Sequence, residues 1–216
     1  MSASEDRPGE FGAAYWEERY RGGEGATRHD PSPSLVAEAS GLAAGTALDA
    51  GCGNGADAIW LGARGWRVTA VDVSRAALGH AQQAARAAGP GVAERIAWVH
   101  ADLGDWEPGE RFDLVTSHYV HVPGSAEDLF GRLASWVAPG GTLLVVGHDG
   151  GPGHGQPHPP GSQVRARQVT SALAGGSWEV LVAESRTHTV QRPGGAGAVT
   201  LHDVVVRARR TAAGRQ

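Results

Sequence analysis

The sequence is poor in three features that mark large classes of protein: cysteine, lysine and long apolar runs. A single cysteine, Cys52, excludes a disulfide scaffold and a cysteine-based zinc site, and it fits a reducing compartment. No apolar run approaches the roughly 20 residues of a membrane helix, and the polar, acidic N-terminus lacks a hydrophobic signal segment. All 19 basic residues are arginine, scattered along a chain of net charge −4, which argues against nucleic acid as the main partner. We therefore expect a cytoplasmic protein with no membrane or nucleic-acid partner, whose oligomeric state the sequence does not indicate.

Small residues are abundant instead, with 33 Gly and 36 Ala among 216 residues. The hydrophobic content of 41% is enough for a core, and the length suits one domain. From residue 46 onward, short apolar runs alternate with longer amphipathic stretches, which predicts βαβ units and a mostly parallel sheet covered by helices on both faces. The predicted strands are Thr46–Ala50, Arg67–Val73, Ile96–Ala101, Phe112–Ser117 and Gly141–Gly147, and the predicted helices are Ala56–Arg64, Ser74–Ala88 and Ser125–Val137.

Both flanks of this alternating region have their own patterns. Before it, aromatic residues at helical spacing predict a short amphipathic helix at Phe11–Arg21, and a second helix ends near Ser40. After it, two strand-like runs joined by a Gly-rich turn predict an antiparallel hairpin at the sheet edge. The segments after the alternating region are a Gly/Pro/His loop at Gly147–Gly161, a helix at Gln163–Leu173, and the two runs at Glu179–Gln191 and Val199–Arg209.

The strongest local signal is the run Leu48-Asp49-Ala50-Gly51-Cys52-Gly53-Asn54-Gly55, where a buried strand leads into a Gly-x-Gly-x-Gly turn. Small residues let a ligand approach the backbone, and open α/β sheets bind ligands at the carboxyl ends of their strands. Dinucleotide-binding proteins use the spacing Gly-x-Gly-x-x-Gly and hold a pyrophosphate at the following helix. The different spacing and Asp49 disfavour a pyrophosphate here and favour a ligand that carries a positive amino group.

Two further acids end the next two predicted strands. Asp72 follows the Gly-rich turn by about 20 residues, the position at which an acid binds a ribose hydroxyl pair. Asp102 ends the third strand, where it can reach an adenine amino group. An ammonium, a ribose and an adenine, each with an acidic partner at successive strand ends, describe S-adenosylmethionine.

These ordered motifs resemble those of the class I S-adenosylmethionine-dependent methyltransferases. Leu48–Gly55 looks like motif I, Asp72 like the motif II acid, Asp102–Leu103 like motif III, Phe112–Ser117 like motif IV, and Ala138–Gly141 like the turn before strand five. The resemblance implies a Rossmann-like, seven-stranded, mostly parallel sheet with an antiparallel strand seven, S-adenosylmethionine as cofactor, and methyl transfer by in-line displacement. It also implies a set of cofactor-binding residues: Tyr15, Tyr20, Asp49, Ala50, Gly51, Cys52, Gly53, Asn54, Gly55, Asp72, Val73, Asp102, Leu103, Ser117 and His118. Cys52 is interpreted as a small filler in the turn rather than a nucleophile.

The N-terminal run Tyr15-Trp16-Glu17-Glu18-Arg19-Tyr20 resembles the small-molecule group that includes the tellurite-resistance and thiopurine methyltransferases. In that group an N-terminal helix closes over the cofactor, and the acceptor is a small molecule. The resemblance therefore implies one methyltransferase domain over residues 1–216. Its parts are a tail with cap helices at 1–44, a cofactor-binding core at 45–149, and a lid loop with edge strands at 150–216.

Histidines concentrate where the acceptor is expected. His118 and His121 follow strand four and His148 ends strand five, so these three are the candidate catalytic residues, with Tyr119 beside them. A base is needed only for an acceptor that arrives protonated, and a neutral imidazole suits that role. The alternatives are a substrate-orienting role, a plain polar lining, or a metal site formed by His148, Asp149, His154 and His158. Their spacing is not that of a metal motif, so no metal is predicted.

Three other functions stay open at this point. A nicotinamide dehydrogenase is disfavoured by the glycine spacing and by Asp49. A non-catalytic S-adenosylmethionine-binding module would share the cofactor motifs. A methyltransferase acting on a macromolecule is disfavoured by the charge balance and because Ser117-His118-Tyr119-Val120 stands where an Asn/Asp-Pro-Pro-Tyr tetrapeptide would be. Arg28, next to His29, is a candidate partner for the cofactor carboxylate, and the acceptor itself has no signature in the sequence.

Overall fold

The computed structural model describes residues 11–22, 30–149, 163–174, 177–191 and 198–211. Two short helices precede the sheet, and both were predicted: α1 at Ala13–Arg21 and α2 at Pro33–Ala39. Pro33 stands in the first turn of α2, where a residue without a backbone N–H costs no intrahelical hydrogen bond.

Strands and helices then alternate as the sequence predicts. The elements are β1 at Thr46–Ala50, α3 at Ala56–Ala63, β2 at Arg67–Asp72, α4 at Arg75–Ala87, α5 at Pro90–Ala93, β3 at Ile96–His100, β4 at Phe112–His118, α6 at Ala126–Ser135 and β5 at Val137–Asp149. The predicted boundaries agree within two residues, except that the short α5 was not predicted and β5 begins earlier than predicted. The Ser74 hydroxyl accepts the Ala77 N–H and so caps α4, as expected.

The C-terminal part comprises β6 at Gln163–Val164, α7 at Ala166–Ala172, β7 at Trp178–Gln191 and β8 at Ala198–Arg210. The helix predicted at Gln163–Leu173 is wrong at its start, because Gln163 and Val164 pair in parallel with the end of β5. The loop predicted at Gly147–Gly161 also begins too early, since β5 extends to Asp149, and its remainder lies outside the described residues.

The sheet has the strand order β3-β2-β1-β4-β5-β8-β7, with β6 paired to β5 off this path. Strands β1 to β5 are parallel, and β8 is antiparallel to both of its neighbours. This confirms the predicted mostly parallel sheet with an antiparallel C-terminal hairpin, to which β6 adds an eighth, two-residue strand. β8 lies inside the sheet, so that only β7 of the hairpin is at the edge. From β1 the chain adds β2 and β3 on one side, and it then returns to add β4 and β5 on the other side. An α/β sheet binds its ligand at the carboxyl ends of the two strands where this direction reverses, here β1 and β4.

The start of β5 departs from the prediction of a turn at Ala138–Gly141. These residues belong to β5 and bulge opposite Asp113, because Phe112 pairs with Val137 whereas Leu114 pairs with Thr142. A side chain at Gly141 would come within 2.9 Å of the Asp113 carbonyl oxygen, so the bulge requires glycine there.

Two hydrophobic layers cover the two faces of the sheet. Alternate residues of β5 serve both layers: Leu143 and Val145 point to the layer that includes α6 and α7, and Leu144 and Val146 point to the layer that includes α2, α3 and α4. Because β5 is buried on both faces, its sequence is a continuous apolar run rather than an alternating one. The strand ends that carry the candidate site are therefore held by packing on both sides.

Candidate active site

A cavity of about 240 Å³ lies at the carboxyl ends of β1, β2 and β4, beneath α1. The predicted cofactor and catalytic residues on its wall are Tyr20, Asp49, Gly51, Cys52, Gly53, Asn54, Asp72, Val73, Asp102, Leu103, His118 and His121. Five predicted residues are not on the wall: Tyr15, Ala50, Gly55, Ser117 and His148. The cavity also has a group of lining residues that the sequence did not single out as site residues: Phe11, Ala13, Trp16, Ala56, Asp57, Ala101, Val120, Val122 and Pro123.

The Gly-rich turn follows β1 with its backbone folded against β2. The N–H groups of Gly51 and Cys52 donate to the Val71 carbonyl at 2.8 and 2.9 Å, and the Gly53 N–H donates to Asp72 Oδ2 at 2.8 Å. Gly51, Gly53 and Gly55 all have positive φ. Gly55 has a packing role as well, since a Cβ there would lie 2.6 Å from the Trp98 ring, so glycine allows the start of α3 to lie close to β3.

The turn packs closely against two residues of the cavity wall. A Cβ on Gly51 would collide with Val120, and a Cβ on Gly53 would stand 2.5 Å from the Tyr20 hydroxyl. Side chains at these two positions would therefore displace Val120 or Tyr20, so glycine there keeps this part of the wall in place.

The three acids predicted at the strand ends all stand on the cavity wall. Asp49 is 2% exposed below the turn, where a ligand ammonium would find a buried carboxylate. Asp72 ends β2, and its two oxygens accept the N–H groups of Gly53 and Ser74, each at 2.8 Å. Burial raises the pKa of Asp72, while those two N–H groups act in the opposite direction. Asp102 lies farther along, with Oδ1 accepting the Gly104 N–H at 2.8 Å.

His118 forms a buried hydrogen-bonded network that the sequence did not predict. Its Nδ1 donates to Asp57 Oδ2 at 2.5 Å, and its Nε2 pairs with the Thr116 hydroxyl at 2.8 Å. Asp57 Oδ1 in turn accepts the Ser32 N–H at 2.6 Å. Both ring nitrogens of His118 are thus committed to protein partners. The network connects β4 with α3 and with the start of α2, so that His118 fixes the wall of the cavity.

The sequence carried no signal for this pairing. Asp57 is the second residue of α3 and reads as an acid in a first helical turn, where the helix dipole favours it. Its partner lies 61 positions away on a different strand. Only the order of the strands brings the two together.

Aromatic rings form the side of the cavity that α1 and the segment after β4 share. The His121 ring stacks on Trp16 at a centroid distance of 6.1 Å and meets Phe11 at 4.9 Å. His148 also stacks on His121, at a centroid distance of 6.0 Å, but it does not itself line the cavity. The Trp16 indole N–H donates to the His121 carbonyl at 3.3 Å and so ties α1 to this segment.

Tyr119 occupies a strained position next to these rings. Its φ is +56°, in the left-handed region that residues other than glycine rarely adopt. The Tyr119 hydroxyl donates to Asp203 Oδ2 at 2.6 Å, and its ring lies 4.7 Å from His148. Asp203 belongs to β8, opposite His148, and is 1% exposed. Sequence analysis did not reveal Asp203, because it lies within an otherwise apolar strand of the C-terminal hairpin.

Glu17 attaches α1 to the other side of the cavity. Its Oε2 accepts the Ser74 hydroxyl at 2.8 Å and the Ala76 N–H at 3.1 Å, both at the start of α4. The Ala76 N–H, followed by the Ser74 hydroxyl, lowers the pKa of Glu17. With Trp16 on one side and Glu17 on the other, α1 spans the cavity and forms its roof.

Cys52 lies in the turn with its thiol buried. Burial, reinforced by the charges of Asp49 and Asp72, raises the pKa of this thiol well above its usual range. A thiol of that kind is protonated and a poor nucleophile. This supports the interpretation of Cys52 as a small filler.

Several predicted features lie outside the described residues: Arg28, His29, His154, His158 and the residues of the lid loop from 150 on. Within the part of the chain that the structure describes, no three His, Cys, Asp or Glu side chains are grouped as metal ligands would be. No helix in that same part is long and apolar enough to cross a membrane.

Comparison with known proteins gives an independent result. Residues 47–141 match the family described as "Methyltransferase domain". An uncharacterized methyltransferase of Mycobacterium tuberculosis is 40% identical over 101 residues, which are 46% of this chain and 48% of that protein. The chain thus spans about half the length of that curated relative.

Two solved structures extend the likeness over most of the chain. One comes from work on the conversion of a disulfide bond into a thioacetal group during echinomycin biosynthesis. It is 25% identical, with a TM-score of 0.68 and coverage of 92% of both chains. TehB from Haemophilus influenzae shares the fold at 16% identity, with a TM-score of 0.70 over 91% of this chain and 67% of its own.

The motif order, the strand order and the family match agree with one another. The Gly-rich turn and the acids at the ends of β2 and β3 line one cavity at the carboxyl edge of the sheet. Residues 47–141 match a methyltransferase domain, and the chain as a whole is similar to the class I S-adenosylmethionine-dependent methyltransferases.

Proposed function

We propose that this protein transfers a methyl group from S-adenosylmethionine to a small-molecule acceptor. The observation that carries the proposal is the single cavity wall shared by the Gly-rich turn, Asp72, Asp102 and the aromatic side of α1. The Gly-rich turn, Asp72 and Asp102 suit the cofactor, and the aromatic residues on α1 would bound a confined space beside it. A helix that roofs this space leaves room for a small acceptor and little for a folded macromolecule.

The residues of the chain would act mainly by binding, orienting and excluding water. S-adenosylmethionine, when bound, supplies a methyl group activated by the positive charge on its sulfur. Asp49 would hold the ammonium, Asp72 the ribose and Asp102 the adenine. Tyr20 and Trp16, both on α1, would cover the ligand and fix the acceptor close to it, which lowers the entropic part of the barrier.

The three candidate histidines take different parts in this proposal. His118 is a positioning residue, because Asp57 and Thr116 occupy its ring nitrogens. His121 lines the cavity and is the group proposed to take a proton from an acceptor that arrives as a hydroxyl, thiol or amine. His148 stacks on His121 and would support its ring.

Calorimetry and turnover to S-adenosylhomocysteine with a panel of small acceptors test the proposal. We expect the wild type to bind S-adenosylmethionine and Asp72→Asn to bind it about tenfold to 100-fold more weakly, as for loss of a charged hydrogen bond. Asp113→Asn is the matched control. Its carboxylate also accepts a backbone N–H, from Thr46 at 2.8 Å, but at the opposite end of the sheet. Failure of the wild type to bind, or equal binding by both variants, would overturn the proposal.

The histidine roles have a separate readout. His121→Gln should lower kcat for an O–H or S–H acceptor while the affinity for S-adenosylmethionine stays close to that of the wild type. His118→Gln should weaken cofactor binding and lower thermal stability together, since it disturbs the wall of the cavity. The reverse result, with only His118→Gln impaired in kcat, would exchange the two assignments.

A further inference from the structure

We infer that the acceptor is an uncharged molecule with a flat apolar body, held against Phe11, Trp16 and His121, and that an acceptor with an anionic group beside its reacting atom is rejected. This inference rests on the proposed methyl-transfer function and adds to it the class of substrate. It comes from two properties of the cavity wall: its rings and its charges.

Three aromatic rings gather on the cavity wall where α1 and the segment after β4 meet. Phe11 and Trp16 are stacked, with an interplanar angle of 22°, and Trp16 and His121 are stacked at 19°. All three rings line the cavity, and Val122 and Pro123 continue the apolar surface. A flat apolar acceptor gains contact area here at little conformational cost, because rings pack well on rings.

The charges on the wall are of one sign. Among the described residues that line the cavity, the carboxylates are those of Asp49, Asp57, Asp72 and Asp102, and there is no arginine. S-adenosylmethionine carries a net charge of one positive unit, so three carboxylates reserved for it leave the cavity negative. Like charges in a partly dehydrated site repel one another strongly, and an anionic acceptor would enter against that field.

The proposed step conserves charge on the acceptor. A lone pair of the acceptor's sulfur or oxygen forms the new bond to the methyl carbon, and the bond from that carbon to the sulfonium breaks with its electron pair staying on sulfur. The acceptor's own proton passes to the His121 imidazole and from there to solvent. Acceptor and methylated product are therefore both uncharged, and neither is held by the carboxylates after the reaction.

A pair of isosteric probes tests the charge rule by binding rather than by turnover. At pH 7, salicylamide and salicylate differ in charge but hardly in shape, and 3-hydroxy-2-naphthamide and 3-hydroxy-2-naphthoate repeat the comparison with a larger flat body. Calorimetry uses the full chain saturated with S-adenosylhomocysteine. We expect each amide to bind at least about tenfold more tightly than its carboxylate. Equal binding, a preference for the carboxylates, or no binding of either amide would overturn the inference.

The ring rule is tested with Phe11→Leu, which keeps an apolar side chain but loses the ring. We expect it to weaken amide binding by about twofold to tenfold and to weaken S-adenosylhomocysteine binding less. Val180→Ala is the control, because Val180 is 44% exposed on β7, away from the cavity. Phe11→Leu with full amide affinity would contradict the assignment of the rings. If S-adenosylhomocysteine itself does not bind, the proposed function fails before the acceptor class is tested.

Discussion

Among the described residues other than glycine, Tyr119 has a positive φ, and its side chain explains how the backbone holds that value. The backbone N–H donates to the Val146 carbonyl at 2.8 Å, and the hydroxyl donates to the buried Asp203. A conformation of this kind costs about 1–3 kcal/mol and persists only where the surroundings impose it. It turns the chain after β4 so that Val120 and His121 face the cavity.

Removing the hydroxyl tests whether this bond holds the turn. Tyr119→Phe leaves the buried Asp203 carboxylate short of one donor, and we expect the free energy of unfolding to fall by about 1–3 kcal/mol. Urea unfolding measures the loss in free energy of unfolding for Tyr119→Phe, for Asp203→Asn and for the double variant. The loss in the double variant should be smaller than the sum of the losses in the two single variants.

The control for that prediction is Tyr15→Phe, whose hydroxyl accepts an exposed, 3.4 Å hydrogen bond from Arg19. It should change the free energy of unfolding by no more than about 0.5 kcal/mol. Additive losses in the double variant would mean that Tyr119 and Asp203 contribute independently.

Single residues also mark the limit of sequence reasoning. Asp49, Asp72 and Asp102 were found because each stands at the end of an apolar strand, a place with a meaning that does not depend on the rest of the fold. Asp57, Thr116 and Asp203 were missed because their significance depends on a partner on another element. His118 was found as a candidate base, but its two ring partners become visible only when β4 lies beside α3.

At the scale of elements, hydrophobic pattern and turn chemistry predicted the alternating core well. Two failures have local causes. The predicted start of β5 was too late because Pro139, Gly140 and Gly141 are typical of a turn. In the structure these residues form a bulge, and β5 pairs with β4 both before and after it. β6 was missed because two residues carry no periodicity, and their pairing depends on the end of β5.

The attachment of α1 gives the prediction at this scale. Since hydrogen bonds from Ala76 and Ser74 favour the charged form of Glu17, its folded pKa lies below the ordinary value of 4.5. The contribution of Glu17 to the docking of α1 is therefore present above the ordinary pKa and is lost as pH falls through the lowered folded value. Because acidification slows intrinsic amide exchange, the readout is the protection factor, which is the ratio of the intrinsic to the observed rate. Protection factors over residues 13–21 should fall as the pH drops through the lowered folded pKa of Glu17, and Glu17→Gln should show lower protection already at pH 7.

Glu127 offers the matched control for α1. Its pKa is also lowered, but it lies in the first turn of α6, and Glu127→Gln should leave exchange over residues 13–21 as in the wild type. If α1 exchanges alike in the wild type and in Glu17→Gln, Glu17 does not hold the roof of the cavity.

At the scale of the whole molecule, the sheet joins the cofactor half to the C-terminal half. β8 lies between β5 and β7 and pairs with β5. Residues of β8 near position 205 therefore pack next to β5 in the hydrophobic layers on both faces of the sheet. Val204 and Val206 belong to one layer of the core and Val205 to the other. The two layers should therefore form and melt together.

Adjacent residues of β5 test this coupling, since Leu143 and Leu144 are both fully buried but face opposite layers. We expect Leu143→Ala and Leu144→Ala each to lower the free energy of unfolding by about 2–5 kcal/mol. Near- and far-ultraviolet circular dichroism should report one coincident urea transition in both variants, as a single cooperative unit requires. Leu181→Ala, at a site 41% exposed on β7, should shift the midpoint little. If either buried variant melts in two separate steps, the layers are independent, and the cavity depends on the stability of only one of them.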